Sequence, residues 1–259
     1  MATVGVLTWN VQHASPARAA RQAEWLAGRP EAEVVTLTEV SGGSAGQALA
    51  KALAAHGYAT HLTDGGGDYR VLIAARVGHL EPVLSVGIGH LPHRLAAATV
   101  TVPGLRCLAV VGLYVPSRGP RDQRNVAKRA FQSAVAAALP TLPAAFGPSV
   151  PMVVAGDLNV VEPGHVPHHA VFGGWEYDFY RTFAAAGFTD AFRHRHPDTL
   201  DHSWYGRSGT GYRFDHMFCT DRHIDTLGDC RYLQQPRLSR LSDHAALAVD
   251  ITLPSTPAS

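Results

Sequence analysis

Apolar residues recur along the chain in two rhythms. Short runs rich in Val, Leu and Ile, bounded by turn residues, fall at about 4–9, 34–38, 71–75, 83–88, 97–102, 106–114, 151–155, 214–219 and 245–253, and they predict strands. Longer segments between them carry helical spacing with identifiable ends. Ser15 reads as an N-cap with Pro16 at the first helical position, Ala19, Ala23 and Leu26 on one face, and Gly28 past the end. Ser44 and Gln47 read as a capping box before Leu49, Ala52 and Leu53, with a stop at Gly57. A third helix, roughly 121–139, sets Ala127, Phe131, Val135 and Ala138 on one side and ends at Pro140. The order strand, helix, strand, helix, several strands, then helix and strand again predicts α+β layering. Two sheets packed face to face with helices outside satisfy it.

Composition narrows this picture. The 259 residues are 46% hydrophobic, enough for a large core and incompatible with a disordered or fibrous chain. No composition shift marks a boundary, so a single domain over 1–259 is expected, with 254–259 a frayed tail. The 22 Lys and Arg nearly cancel the 21 Asp and Glu, so a polyanion would have to be met by a local basic patch. Cys107, Cys219 and Cys230 are too few for a disulfide framework and read as buried small hydrophobes in a reducing cytoplasm. Met1 opens directly into a strand without a basic leader, and no apolar run approaches the ~20 residues of a bilayer span. A cytoplasmic, monomeric protein without membrane contact is the expectation.

Polar residues terminate the apolar runs at separate places. Asn10 follows Val6-Leu7-Thr8-Trp9, Glu39 follows Val34 to Thr38, and Asp157 and Asn159 follow Met152 to Gly156. Asp215 interrupts Arg213 to Phe218, and Asp243-His244 precedes Ala245 to Val249. Singly, each reads as a turn former or cap. Together they make an all-oxygen set with one imidazole, which suits a hard divalent cation, Mg²⁺ or Mn²⁺, and does not suit zinc. A hard cation, an oriented water and an imidazole serve phosphoester hydrolysis, where charge builds on the nonbridging and leaving oxygens.

Thr8-Trp9-Asn10-Val11, Leu37-Thr38-Glu39, Gly112-Leu113-Tyr114-Val115-Pro116, Gly156-Asp157-Leu158-Asn159, Arg213-Phe214-Asp215 and Leu241-Ser242-Asp243-His244 resemble, in order and spacing, the endonuclease/exonuclease/phosphatase family. Gly187 to His194, Ser203-Trp204-Tyr205 and Gly211 to Asp215 are most similar to its exonuclease III and AP endonuclease branch. The resemblance implies a four-layered α/β/β/α sandwich of two mixed sheets flanked by helices. It implies Glu39, Asn10 and Asp243 as ligands of one or two ions. Asp157 would orient the attacking water, Asn159 would hold the water or the phosphate, Asp215 would fix the His244 tautomer, and Tyr114, exposed at a strand end, would donate to a phosphate oxygen. His244 stays open between a base and a phosphate ligand.

Several positions depart from that branch. Gln12 stands where an acidic residue or Asn is common, Ser203 replaces a pocket aromatic, and Ser117 replaces an Asn. Tyr212 and Trp204 keep part of an apolar pocket, and Arg70 stands at a common Gly position, which places a cation near the metal side. Arg118, Arg121, Arg124, Lys128 and Arg129 make a basic stretch that reads either as a phosphate track or as a solvated helix face. His165, His168 and His169 read as a solvated or rim loop. The resulting expectation is a divalent-metal phosphodiesterase, foremost an exonuclease III-like DNA nuclease with Arg70, Arg118, Arg124, Trp204 and Tyr212 on the substrate. A phosphodiesterase acting on a small or lipid phosphoester, or a silent binding module, are the alternatives.

Overall fold

A computed structural model of the chain describes residues 1–65, 67–119 and 122–256, with backbone alone at 122–124. The first half runs β1 (Ala2–Asn10), α1 (Pro16–Ala27), β2 (Val34–Val40), α2 (Gly43–Ala55), β3 (Ala59–Leu62), β4 (Arg70–Ala75), β5 (His79–Pro82), β6 (Leu95–Thr101), β7 (Leu108–Tyr114) and α3 (Asp122–Ala138). The second half runs α4 (Leu142–Phe146), β8 (Met152–Asp157), α5 (Gly174–Ala185), β9 (Phe188–Asp190), α6 (Ala191–Arg195), β10 (Trp204–Tyr205), β11 (Gly211–Tyr212), β12 (Asp215–Thr220), β13 (Leu227–Leu233), α7 (Gln235–Leu238) and β14 (Ala246–Leu253).

Two six-stranded sheets result, in the orders β13-β14-β1-β2-β4-β3 and β5-β6-β7-β8-β12-β9. Both are mixed: β1 runs parallel to β2 and β7 to β8, while the other pairs are antiparallel. Alternation along each strand builds three apolar layers. Leu7, Trp9, Val35, Leu37, Leu72 and Ala74 pack outward on α1 and α2. Their neighbours Val6, Val34, Val71 and Ile73 face inward on Ala98, Val110, Val153 and Met217 of the second sheet. That sheet sends Val111, Leu113, Val154 and Phe218 outward on Phe131, Val135, Phe179 and Phe183 of α3 and α5. The outcome is the α/β/β/α sandwich. The sheets come so close at Gly112 that a Cβ there would lie 2.6 Å from both Thr36 Cγ2 and Val71 Cγ1.

Helix α1 begins as its sequence predicts, with Ser15 Oγ accepting from the Arg18 amide at 3.4 Å and Pro16 in the first turn. Helix α2 does not: Gly42 is its N-cap without a side-chain bond, so the Ser44–Gln47 box is not formed. The run at 83–88 is no strand, since β5 ends at Pro82 and Leu84 is 82% exposed. The expected free tail is tied down at its start, with the Met1 ammonium donating to Ser255 Oγ at 2.8 Å and Thr256 N to Gly104 O at 3.1 Å. Cys219 and Cys230 are buried and all three cysteines are free. Among the described residues no helix is long and apolar enough to cross a membrane.

Candidate active site

Five strands deliver polar side chains to one end of the sandwich. Asn10 closes β1, and Glu39 lies near the end of β2, which runs parallel to it. Tyr114 closes β7 and Asp157 closes β8, again parallel neighbours in register. Because β12 is antiparallel to β8, its first residue, Asp215, lies opposite Asp157. Gly156 makes the approach to Asp157 possible: with φ +147°, a Cβ there would stand 1.9 Å from Leu113 O. All seven non-glycine residues with positive φ among those described, Gln12, His13, Glu39, Tyr69, Leu91, Asn159 and Arg240, lie at this end, in or beside the cavities there. Such concentration of backbone strain marks functional sites.

The side chains form two linked pairs. Asn10 Nδ2 donates to Asp157 Oδ2 at 2.8 Å, and the Asn159 backbone N–H donates to Asp157 Oδ1 at 2.7 Å. His244 Nδ1 lies 2.6 Å from Asp215 Oδ2. Ser242 ties them together: its hydroxyl donates to Asn10 O at 2.6 Å and accepts from the His244 amide at 3.1 Å. Trp204 Nε1 donates to Asp243 Oδ2 at 3.0 Å, and Glu39 Oε1 stands 3.3 Å from His13 Nε2.

Electrostatics separate the two pairs. Burial, with Asp215 beside it, raises Asp157 to about 7. Burial works against the His244 imidazolium, but the Asp215 carboxylate, with Asp157 and Asp243 near, outweighs it and holds the ring up at about 10. Burial also raises Glu39, opposed by the Asn10 amide and by His13 and His244. It raises Tyr114 as well, reinforced by Asp157 and Glu39.

The donor set fits a hard divalent cation. Asp157, Asp215 and His244 each bring one ligand atom within 4.8 Å of the others. Asp215 Oδ1 and Asp243 Oδ1 are buried without a partner among the described residues, and Glu39, which feels the Asp243 charge, is 18% exposed on the crevice. Orphaned carboxylate oxygens of this kind are what a cation satisfies. Asn10, expected as a ligand, turns both amide atoms to the protein, since its Oδ1 accepts from Gln12 N at 2.9 Å.

The crevice, about 380 Å³, is lined by aromatic rings. Trp204, Tyr212, Phe214 and Phe172 make one wall, with Tyr212 and Phe214 centroids 5.0 Å apart. Tyr69 and Tyr114 stack at 5.6 Å opposite, and the Arg94 guanidinium lies 4.5 and 4.9 Å from their rings. Tyr114 is buried at 4% exposure, where its strand-end position had implied an exposed side chain.

Of the expected substrate residues, Trp204, Tyr212 and Arg118 line the crevice and Arg70 does not. Arg70 is buried at the start of β4, its Nε donating to Thr63 O at 2.6 Å. The Arg124 side chain and Arg121 lie outside the described residues. Lys128 is neither a phosphate track nor solvated: fully buried, it donates to Glu176 Oε1 at 2.6 Å and to Asn159 O at 2.8 Å. Arg118 donates to the same carboxylate's Oε2 at 2.6 Å. His165 and His169 are buried too, His169 stacking on Tyr212 at 3.8 Å and bonding Gly211 O at 2.9 Å. Tyr69, Arg94, Phe172 and Glu176 were absent from the expectation. Only Glu176 carries a sequence signal, as the acid three residues after Gly173 at the start of α5.

The fold has solved relatives. The chain superposes with TM-score 0.77 and 21% identity on a Neisseria 3′ phosphatase, NExo, bound to a product DNA hairpin, covering 95% of this chain and 98% of that one. An AP endonuclease from Archaeoglobus fulgidus gives TM-score 0.77 and 22% identity over 96% and 98%. The AP endonuclease LMAP of Leishmania major gives 0.76 and 17% over 97% and 88%. No curated protein sequence matches the chain. The model of the Endonuclease/Exonuclease/phosphatase family matches residues 7–244, from the strand before Asn10 to the histidine of the dyad. This chain therefore belongs to the Endonuclease/Exonuclease/phosphatase family.

Proposed function

We propose that the chain is a divalent-metal-dependent phosphodiester hydrolase of the exonuclease III type, acting on DNA at 3′ ends. The observation that carries this reading is the meeting of the Asn10–Asp157 and Asp215–His244 pairs beside the open Glu39 carboxylate in one crevice. Glu39 and Asp243 would hold the cation, with Asp215 Oδ1 as the further free oxygen. When bound, the cation polarises a phosphoryl oxygen and offsets the charge that develops on it.

The remaining chemistry belongs to side chains. Asp157, raised to about 7, is poised near neutrality to take the proton of the attacking water, with Asn10 and the Asn159 amide fixing both of its oxygens. The Asp215 carboxylate in contact with His244 favours its protonated ring, which suits it as a donor to the phosphate rather than as a base. Arg94 and Arg118 supply positive charge at the rim, and the Trp204–Tyr212–Phe214 wall takes the planar part of the substrate.

The test is metal-dependent hydrolysis of a panel at one salt concentration: duplex DNA with a recessed 3′ end, an abasic-site duplex, a 3′-phosphate strand, single-stranded RNA and bis-p-nitrophenyl phosphate. EDTA and Asp157→Asn serve as controls. Shortening of the recessed strand, lost with either control, is expected. Turnover of the small ester alone would refute the DNA assignment.

A further inference from the structure

Adjoining the crevice across the Trp204–Asp243 hydrogen bond lies a second cavity of about 350 Å³. Gln12, Arg18, Tyr205, Arg237 and Arg240 line it beside Asp243, and no residue lines both cavities. In the sequence its arginines are scattered charges. The fold collects them by bringing the first turn of α1 against α7 and the residues that follow it.

The guanidinium groups of Arg18 and Arg237 are held in place, and that of Arg240 is open to solvent. Among the described residues no carboxylate meets Arg18, Arg237 or Arg240, as holds for most of the other arginines; what sets these three apart is that they line one cavity. Arg18 turns both terminal amino groups to Gln12, one to its carbonyl and one to Oε1 at 3.4 Å, and its Nε is buried without a partner among the described residues. Arg237 donates from Nε to Gln234 Oε1 at 3.1 Å and lies 4.2 Å over the Tyr205 ring, which leaves its terminal amino groups unbonded to described residues. Arg240 is exposed. The single carboxylate in the lining, Asp243, gives one oxygen to Trp204. In a chain whose charges nearly cancel, three guanidinium groups without a carboxylate in one pocket, those of Arg237 and Arg240 with free terminal amino groups, match a tetrahedral oxyanion, for which the guanidinium fork is suited.

We propose that this pocket holds a non-scissile phosphate of a phosphodiester chain, so that the enzyme grips a nucleic-acid strand at a second point besides the bond it cuts. This rests on the hydrolase reading above. An isolated phosphoester has no group to place there, so the pocket selects a chain over a monomer.

The test compares the full-length protein, with Mg²⁺, to Arg18→Gln/Arg237→Gln/Arg240→Gln. The probe is a fluorescein-labelled DNA strand, followed by anisotropy across a salt series and by shortening kinetics. The variant is expected to keep its thermal midpoint, weaken Kd and raise KM about tenfold, and flatten the slope of log Kd against log salt by about 0.7, the share of a single phosphate that is no longer neutralised. Arg181→Gln removes one charge beside a different cavity and leaves affinity and slope as in the parent. Parent affinity and slope in the triple variant would overturn the proposal. Hydrolysis of bis-p-nitrophenyl phosphate by the parent, lost in Asp157→Asn, judges the hydrolase reading separately. If the parent cuts the ester but does not bind the strand, the pocket proposal falls and the hydrolase stands; if nothing is hydrolysed, the hydrolase falls.

Discussion

Glu176 is buried with two cations, and removing it should cost more than removing either of them. Its Oε1 accepts from Lys128 Nζ at 2.6 Å, and its Oε2 accepts from Arg118 at 2.6 Å and from Gly173 N at 3.0 Å. Lys128 and Glu176 side chains are both 0% exposed, so solvent screens neither. Lys128→Met removes one charge-assisted bond and the bond to Asn159 O, but Glu176 keeps Arg118; the relief of the lysine's own desolvation offsets part of this, leaving a cost of about 2–3 kcal/mol. Glu176→Gln leaves two cations facing each other without an anion, one of them fully buried, at about 3–5 kcal/mol. The double variant should be milder than the sum by about 1–3 kcal/mol, because the second change removes the charge that the first one stranded. Urea unfolding at neutral pH with unchanged m-values reads all three. Strict additivity, or Glu176→Gln milder than Lys128→Met, would refute the argument. Since Lys128 also pins the carbonyl of the left-handed Asn159, Lys128→Met should lower kcat about tenfold while KM moves little.

Other outcomes follow from neighbouring interactions. Burial alone would raise Glu162, yet Arg213, His216 and Arg193 hold it down at about 2, and Arg213 holds Asp190 far below its usual range. Carboxylates depressed in the folded state stabilise it above their unfolded values near 4, and this is lost as pH falls toward 2. Thermal midpoints should therefore drop between about pH 4.5 and 2, and Arg213→Gln should flatten that drop while lowering the midpoint at neutral pH; an unchanged profile would contradict it. Gly112→Ala, whose methyl would meet Thr36 and Val71 at 2.6 Å, should destabilise by about 1–3 kcal/mol in denaturant titrations, since the sheets have to part to admit it. Arg94→Gln removes the cation stacked on Tyr69 and Tyr114 beside Glu39 and Asp157 and should raise KM about fivefold with kcat within threefold, as seen in steady-state kinetics.

How far such interactions can be read from the chain depends on which direction a side chain takes. Asn10, Glu39, Asp157 and Asp215 were legible because each ends or begins an apolar run, and a strand end at a sheet edge has few places to point a polar group. Their partnership was not, since Asn10 and Asp157 stand 147 positions apart on opposing sheets and meet only through the register of β1 and β8 across the sandwich. Arg70 shows the limit within one strand. Tyr69 precedes β4 with a left-handed φ and lines the crevice, while Arg70 opens the strand and turns to Thr63, a change of direction that residue order alone does not carry. Lys128 is the opposite case, because the pattern did contain the answer. It sits three residues before Phe131 and seven before Val135, on the apolar stripe of α3, where a lysine has to find a buried anion. Lys128 belongs to a run of positive charges, but the helical period that puts Phe131 and Val135 in the core puts it there too. The anion it requires, Glu176, sits on α5, the helix after the segment that carries Asn159, and the same carboxylate orients Arg118 at the crevice rim. A buried charge on a core stripe thus points across the fold to the element that completes the site.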